Sequence, residues 1–384
     1  MEDIKKIQQE RTDLYKNLYD NKIPKRVPIE ISFAWEAAMS YANLNLREAY
    51  WDQNNYVTFM DKVCSDFQSD KQPIGTNLRR IGYYHYMGSR AYIMSNTGAI
   101  QHPEVHALEP EEYDEFIEDP YKCMVEKLLP RLNPAIAPGN MEGAIHFAKA
   151  YKSFNDSAQY AISAGKIMKE KYGYADIPVA GSFYSPFDFL ADLVRSFTGV
   201  VIDMRRRPEK VEAACEALLP ICLCTVLNEN PQPYSRVFMP LHMAPFMKRK
   251  DFERFWWPPF LKMVNAIFDC GLGLDAFVEN DWMDKLDYLE SLDSRVNYHF
   301  EFGDPALVKD KLHGKHIISG MYPVTNLSTM PKEKCINELK KMMDILSPDG
   351  SYIFNFDKLI FSLNDNIANN LKAVLDTVSE YGVY

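Results

Sequence analysis

Imidazole and carboxylate side chains stand where short apolar runs in the second half of the chain end. His242 follows the run at 237–241, and Glu279 follows the run at 276–278. Carboxylates and imidazoles either exchange protons with a substrate or bind a metal ion such as Zn²⁺. Because the two residues end neighbouring predicted strands, they are the first candidates for catalysis.

Two further runs place polar side chains on single faces. Alternate side chains of a strand share a face, so Asn297 joins His299 and Glu301, and Asn355 joins Asp357. A hydrogen-bonded polar layer inside a barrel core is one interpretation of such a group. Burying several unpartnered charges is costly, which favours a functional cluster instead. The predicted catalytic residues are His242, Glu279, Glu301 and Asp357.

Aromatic side chains also fall just past the predicted strand ends. A pocket lined by them suits a flat, mostly apolar substrate with a few polar groups. Ordinary packing of loops onto the rim of the fold is the alternative interpretation. The predicted substrate-binding residues are Phe33, Trp35, Phe183, Tyr184, His299, Tyr322 and Asn355.

The elements that must position these residues are apolar runs separated mostly by helical patterns. The runs predict buried parallel strands at 27–32, 63–67, 177–183, 237–242, 276–281, 297–301, 317–322 and 352–357. Eight such strands predict a TIM-type (β/α)8 barrel of the α/β class, although an open sheet has the same periodicity. We expect one domain over 1–384, with an N-terminal helical extension at 1–26 and an insertion or lid at 71–110.

Composition excludes several classes of function. The net charge of −10 disfavours nucleic acid as a partner. The charged N-terminus and the short apolar runs predict neither a signal peptide nor a membrane span, so we expect a cytoplasmic protein. Seven cysteines without a CxxC pair predict reduced thiols. Without a GxGxxG or GxxxxGK sequence, a nucleotide site has no support.

Several segments resemble the uroporphyrinogen decarboxylase superfamily. They are Pro178-Val179-Ala180-Gly181 leading to Pro186, the proline-containing stretch 255–260, Ser319-Gly320-Met321-Tyr322-Pro323, Tyr352-Ile353-Phe354-Asn355, and the final helix from Asn364 to Tyr381. The resemblance extends over most of the chain from Val27 and is strongest from Ile177 onward. It implies an α/β barrel, and it leaves two branches of activity to distinguish.

The decarboxylase branch holds the carboxylates of its substrate with arginines near the first strand. Here that stretch reads Ile29-Glu30-Ile31-Ser32-Phe33-Ala34-Trp35 and contains no Arg. A polyanionic tetrapyrrole would meet a carboxylate and an aromatic wall. This departure counts against porphyrinogen decarboxylation.

The other branch contains corrinoid-dependent methyltransferases. Many of them resemble one another in a zinc site built from a His-x-Cys sequence on strand five and a Cys on strand eight. Glu279 and Asp357 stand near these cysteine positions, so a zinc ion would have to use Glu279, His242 and Asp357. Loss of the cysteines disfavours a thiol substrate. The resemblance therefore implies a methyltransferase of anaerobic metabolism, with an O-demethylase acting on an aryl methyl ether as the favoured interpretation. Methylamines and methylthiols stay open as methyl donors, and thiols are the least favoured.

The implied reaction moves the methyl group to cob(I)alamin on a separate corrinoid protein. The absence of a D-x-H-x-x-G cobalamin sequence agrees with a cofactor held by that partner. A phenolic leaving group has a pKa of about 10, so it needs a Lewis acid or a proton donor. A decarboxylase for a smaller acid and a non-catalytic binding protein are the alternatives.

Overall fold

The computed structural model describes residues 2–76, 79–227 and 230–384. Met1 of the predicted 1–26 extension lies outside the described residues, and so do Asn77 and Leu78 of the predicted 71–110 insertion.

Within the described residues, eight regular strands form two sheets. β1 and β2 make an antiparallel hairpin, while β3 to β8 make a parallel sheet in which each strand pairs with the next one along the chain. The strands are β1 (Ile93–Met94), β2 (Ile100–Gln101), β3 (Val179–Ser182), β4 (Arg236–Leu241), β5 (Gly273–Val278), β6 (Asn297–Phe300), β7 (Ile317–Tyr322) and β8 (Tyr352–Phe356). β3 to β8 lie on the last six predicted runs, so those six predictions are confirmed.

Two irregular segments, 27–33 and 67–74, close the parallel sheet into a barrel. On one side, the Glu30 amide donates to the Phe354 carbonyl of β8 at 2.9 Å. On the other side, the Asp70 amide donates to the Ile29 carbonyl at 2.7 Å. Asp70 then accepts from the amide of Ala175, just before β3, at 2.8 Å. The predicted α/β barrel is confirmed, with six regular strands among the described residues; the predicted first strand at 27–32 is an irregular segment joined to β8 by an isolated bridge at Ile29.

The predicted strand at 63–67 is wrong, because a helix covers Asn55–Asp66. Its apolar side chains recur three and four residues apart, as a helix buried on one face requires. Phe59, Met60, Val63 and Cys64 are all buried by this spacing. The second barrel segment follows the helix instead.

Helices fill the connections between the strands. They are α1 (Glu2–Tyr19), α2 (Trp35–Tyr41), α3 (Leu46–Trp51), α4 (Asn55–Asp66), α5 (Ile81–Met87), α6 (Tyr113–Glu118), α7 (Pro120–Cys123), α8 (Leu129–Leu132), α9 (Met141–Tyr172), α10 (Pro186–Phe189), α11 (Phe197–Arg206), α12 (Pro208–Cys224), α13 (Arg249–Asp251), α14 (Trp257–Asp269), α15 (Leu286–Ser291), α16 (Pro305–Leu312), α17 (Asn326–Thr329), α18 (Lys332–Leu346) and α19 (Asp365–Tyr381). None of the described helices combines the length and the apolar content that crossing a bilayer requires.

Capping residues determine where the helices after the barrel strands begin. The Asp304 carboxylate accepts the Ala306 amide at 2.8 Å, and Pro305 occupies the first position of α16. Ser185 caps α10 in the same way, accepting the Asp188 amide at 3.2 Å. Short polar side chains satisfy the free amides of the first helical turn. These caps fix the points at which the chain leaves the carboxyl ends of the strands.

Helix α1 lies across the amino-terminal ends of the barrel strands. Tyr15 and Leu18 pack against Ile317 and Ile353, which are the first residue of β7 and the second residue of β8. The guanidinium of Arg295, just before β6, donates to the Leu18 carbonyl at 2.7 Å. The helix therefore closes this end of the barrel.

The hairpin β1–β2 lies on the opposite, carboxyl-terminal side of the barrel. The rings of Tyr92 and His102, which flank it, stack at 4.3 Å between centroids. Burial lowers the pKa of His102, and its charged neighbours include Asp192 and His242. The hairpin thus stands near the end of β4. Residues 71–74 belong to the barrel segment 67–74, and a lid function for the rest of 71–110 stays a prediction.

Candidate functional site

Alternate side chains of β4 to β8 point into the barrel lumen. Along β5, Asp275 and Phe277 are half-buried, whereas the residues between them are fully buried against the helices. The strand register places Phe277 beside His299, and their rings lie 4.9 Å apart. Phe238 aligns with Asp275 in the same register. One residue beyond β4 and β5, the same alternation brings His242 and Glu279 to the mouth of the lumen.

His242 and Glu279 form a pair at this mouth. The imidazole Nδ1 lies 3.3 Å from the Glu279 Oε2. Both side chains keep part of their surface exposed, 31% and 23% respectively, so a ligand in the lumen can reach them. The Tyr184 ring lies 5.7 Å from the imidazole. The structure therefore brings together three of the residues predicted from the sequence.

The Glu279 carboxyl is suited to hold a proton near neutral pH. Burial raises its pKa from 4.5 to about 7, and the neighbouring charges of Glu301, Asp188 and Asp192 act in the same direction. His242 opposes this shift but does not cancel it. A carboxyl group that is half protonated at pH 7 can act as a general acid.

Asp188 supports the pair from behind, and sequence reasoning missed it. One carboxylate oxygen accepts the Met243 amide at 3.0 Å and the Trp256 indole N–H at 2.9 Å. The His242 amide donates to the other oxygen at 3.4 Å. The side chain is fully buried, and burial raises its pKa. A carboxylate among the apolar residues of α10, three residues after the capping Ser185, was the signal that could have revealed it.

Glu301 is held as a carboxylate, unlike Glu279. Its Oε1 lies 2.7 Å from the Lys358 ammonium, and its Oε2 accepts the Asn280 amide at 2.8 Å. Burial alone would raise the pKa of Glu301, but these contacts lower it below its ordinary value. It is therefore not suited to donate a proton, although the sequence suggested that it could. Lys358, which follows β8, was not predicted as part of the site.

Asp357 and His299 lie farther round the barrel. The Asp357 Oδ1 accepts the Val324 amide at 2.8 Å, and burial raises the pKa of its carboxyl. Burial lowers the pKa of His299, and its Nε2–H donates to the Phe356 carbonyl at 2.7 Å. Both side chains have structural partners.

The three proposed metal ligands are not assembled into one site. His242 and Glu279 pair with each other, whereas Asp357 turns its carboxylate to a backbone amide. Among the residues that the structure describes, no three His, Cys, Asp or Glu side chains are grouped so that they could hold a metal ion. The arrangement of these donors does not fit a zinc ion.

Three of the predicted substrate-binding aromatics pack in the core instead of lining the lumen. Tyr322 points outward from β7, and its hydroxyl donates to the Cys335 carbonyl of α18 at 2.9 Å. Trp35 begins α2 and packs edge-on against Phe59. Phe33 packs against Phe67 at 5.3 Å. The predicted placement of these three side chains at the pocket is wrong, because α18 covers Tyr322, α4 covers Trp35, and Phe33 is buried against the segment 67–74.

The last two predicted substrate-binding residues, Phe183 and Asn355, contact other protein groups. Phe183 packs on Phe189 at 5.1 Å and is half-buried. The Asn355 side chain is buried and accepts the Phe356 amide. Phe238 and Phe277, which were not predicted, supply aromatic surface to the lumen. Strand parity counted from His242 and Glu279 could have identified both of them.

The chain is similar to known proteins in sequence family and in fold. The model of the family described as uroporphyrinogen decarboxylase (URO-D) matches residues 123–381. The fold is similar to that of a methyltransferase from Methanosarcina mazei, with a TM-score of 0.63 and 12% sequence identity over 97% of this chain and 98% of that chain. At this identity the likeness concerns the fold alone. No curated protein matches the sequence.

Proposed function

We propose that this chain, which belongs to the uroporphyrinogen decarboxylase family, is a methyltransferase acting on an aryl methyl ether. The methyltransferase of similar fold supports this reaction type. The acceptor in the proposal is cob(I)alamin on a separate corrinoid protein that docks over the mouth of the barrel. The cobalt supplies the nucleophile for the methyl carbon, and the residues of this chain bind and activate the ether.

The observation that carries the proposal is the Glu279 carboxyl with its pKa of about 7 at the mouth of an aromatic lumen. When the methyl–oxygen bond breaks, its electron pair stays on the aryl oxygen. The Glu279 proton moves to that oxygen, and a neutral phenol leaves. A phenol with a pKa of about 10 binds the proton more tightly than Glu279 does, by about 4 kcal/mol. The transfer is therefore favourable in the direction of cleavage.

The other residues of the mouth fix the geometry of the proton donor. His242 contacts the second carboxyl oxygen of Glu279, while Asp188 holds the backbone that carries His242. Phe238 and Phe277 give the ring of the ether an apolar wall. Tyr184 lies next to His242 and is placed to contact the same ring.

The lumen is poorly suited to a substrate with many carboxylates. Its cations Lys71 and Arg236 each lie beside a carboxylate, Glu30 and Asp275. A polyanion would have to displace these partners. This pairing favours methyl transfer over decarboxylation of a uroporphyrinogen.

Anaerobic incubation of the purified protein with guaiacol and chemically reduced, free cob(I)alamin tests the proposal. Free phenol product and methylcobalamin should form in equal amounts, because each cleaved ether yields one of each. The Glu279→Gln variant should form both products much more slowly than the wild type. Glu142→Gln, on the exposed start of α9, is the matched control and should behave as the wild type.

A panel of guaiacol- and veratrole-like ethers that yields no methylcobalamin would refute the proposed function. Release of CO₂ from small aromatic or aliphatic acids in parallel incubations would support the decarboxylase instead. Equal activity of wild type and Glu279→Gln would leave the reaction type intact but remove the proton donor.

A further inference from the structure

Four charged side chains form a cluster at the bottom of the lumen. The Lys71 ammonium lies 3.0 Å from the Glu30 Oε2, and the Arg236 guanidinium lies 2.6 Å from the Asp275 Oδ1. We call Glu30, Lys71, Arg236 and Asp275 the floor cluster. Burial lowers the pKa of Lys71, whereas the nearby carboxylates of Glu30 and Asp275 raise it. Together the carboxylates have the larger effect, so the pKa lies above its ordinary value. The two ion pairs therefore lie close enough to interact with each other.

The floor cluster remains accessible although it lies deep in the barrel. The side chains of Lys71, Glu30 and Asp275 are 22%, 24% and 23% exposed. Helix α1 covers the cluster from below, with Tyr15 under the Lys71 ammonium at 4.6 Å from the ring centroid. The exposed surface therefore faces the lumen and not the outside of the barrel.

Side chains do not completely fill the lumen above the cluster. The interior of an eight-stranded barrel is usually filled by layers of bulky side chains. Here Phe238, which points inward from the middle of β4, is 40% exposed. Asp275 precedes Glu279 by four residues on β5, so the floor lies about 13 Å below the proton donor. A substrate held at Glu279 by its methyl ether end has room to reach the floor.

Several polar atoms of the floor have unused hydrogen-bonding capacity. An ammonium has three N–H donors, and the ion contact between Lys71 and Glu30 engages one of them. The Tyr19 hydroxyl is buried and has no hydrogen-bond partner within the described part of the chain. Burial raises the pKa of Tyr19 to about 12, with Lys71, Asp275, Arg236 and Glu30 as its charged neighbours. A buried hydroxyl without a partner is costly, so this position fits a ligand that supplies one.

The charges of the cluster select a ligand head of a particular kind. The two cations and two carboxylates of the cluster have a net charge of zero. A ligand head with a net charge would therefore be repelled by the side chains of its own sign. The Lys71 ammonium can hold a carboxylate, while Glu30 and Asp275 can hold an ammonium. A head that carries both groups satisfies both kinds of partner at once.

We propose that the floor cluster binds the zwitterionic, amino-acid-like head of the aryl methyl ether whose methyl group lies at Glu279. This inference rests on the proposed function for the position of the ether but not for the binding of the head. Four ligands that share a 4-methoxyphenyl group test it: 4-methoxyphenylalanine with both charges, 4-methoxyphenethylamine with the cation, 3-(4-methoxyphenyl)propanoate with the anion, and 3-(4-methoxyphenyl)propan-1-ol with neither.

Binding is measured by titration calorimetry without cobalamin. The wild type should bind the amino acid about tenfold or more tightly than the alcohol, as expected for hydrogen bonds to charged groups. Lys71→Met should weaken the two carboxylate ligands by about tenfold and leave the amine and the alcohol unchanged. Glu30→Gln should weaken the two ammonium ligands instead. Lys62→Met, which removes a surface ion pair with Asp66, is the matched control and should change nothing.

Three results would overturn the inference: equal affinity of the wild type for all four ligands, an equal loss for all four in Lys71→Met, or no binding of any of them. Thermal unfolding of each variant identifies a loss of fold, in which case Asp275→Asn replaces Glu30→Gln and Lys71→Gln replaces Lys71→Met. Binding with the expected preference but without any methylcobalamin would refute the proposed function while leaving the floor site. Methyl transfer without any preference among the four ligand heads would support the proposed function and refute the floor site.

Discussion

Replacing Glu279 by Gln separates the catalytic contribution of this residue from its effect on stability. The amide keeps the shape of the side chain and can still accept a hydrogen bond from His242, but it has no acidic proton to donate. Loss of a general acid lowers a rate by about 10²- to 10⁴-fold. The same substitution should make the folded protein more stable at alkaline pH.

The size of the stabilisation follows from the shift of the pKa. Burial raises the pKa of Glu279 from 4.5 to about 7, and each unit corresponds to about 1.4 kcal/mol. The full shift gives about 3 kcal/mol, which partial exposure of the side chain reduces to about 1–3 kcal/mol. Below pH 4.5 the carboxyl is protonated in the folded and unfolded states alike. As pH rises through 7, the folded wild type loses the stability that the bound proton provides, whereas Glu279→Gln does not.

Urea unfolding at pH 5 and pH 8 measures this difference. The variant should exceed the wild type in unfolding free energy at pH 8 and by much less at pH 5, with Glu142→Gln as the unshifted control. In parallel, the methyl-transfer rate of the wild type should fall about tenfold from pH 6 to pH 8, since the protonated fraction falls from about nine-tenths to about one-tenth. A flat rate profile, or equal stabilities at pH 8, would refute the reasoning.

Three further substitutions test the surroundings of Glu279. His242→Gln removes a group that lowers the pKa of Glu279, so the pH at which the rate declines should move above 7; a downward movement would contradict this electrostatic account. Glu301→Gln removes a charge that raises the same pKa, and the decline should move to lower pH, with an unchanged profile counting against it. Tyr322→Phe should lower the unfolding free energy by about 1 kcal/mol through the lost bond to Cys335 and leave the rate unaltered. A slower methyl-transfer rate in Tyr322→Phe would indicate that Tyr322 contributes to the functional site.

The parallel strands and their polar ends were predictable because a single local rule governs them. A buried strand flanked by helices is apolar throughout, and its first polar residue marks the carboxyl end. This rule located β4 to β8 and placed His242 and Glu279 at one mouth. It failed at residues 63–67, where an apolar spacing that also fits a strand belongs to the buried face of α4.

The orientation of single side chains was much less predictable. Every residue of β7 is buried, so composition gives no sign that Tyr322 faces the helices while Ser319 faces the lumen. Trp35 follows the first barrel segment in sequence, but α4 packs over it and removes it from the pocket. Asp188 contributes through backbone contacts with a strand more than 50 residues away, which no local pattern encodes. The ion pairs of the floor cluster likewise depend on closure of the barrel.

Helix α1 covers the amino-terminal end of the barrel, where Tyr15 and Leu18 pack against the strands. A small molecule can therefore enter at the other end, past His242 and Glu279. A protein seated on that opening would trap whatever the lumen contains. If the proposed corrinoid carrier docks there, steady-state kinetics should follow a compulsory order, in which the proposed ether enters before the carrier docks and the phenol departs only after the carrier has dissociated. Excess carrier should then inhibit turnover by blocking entry of the ether.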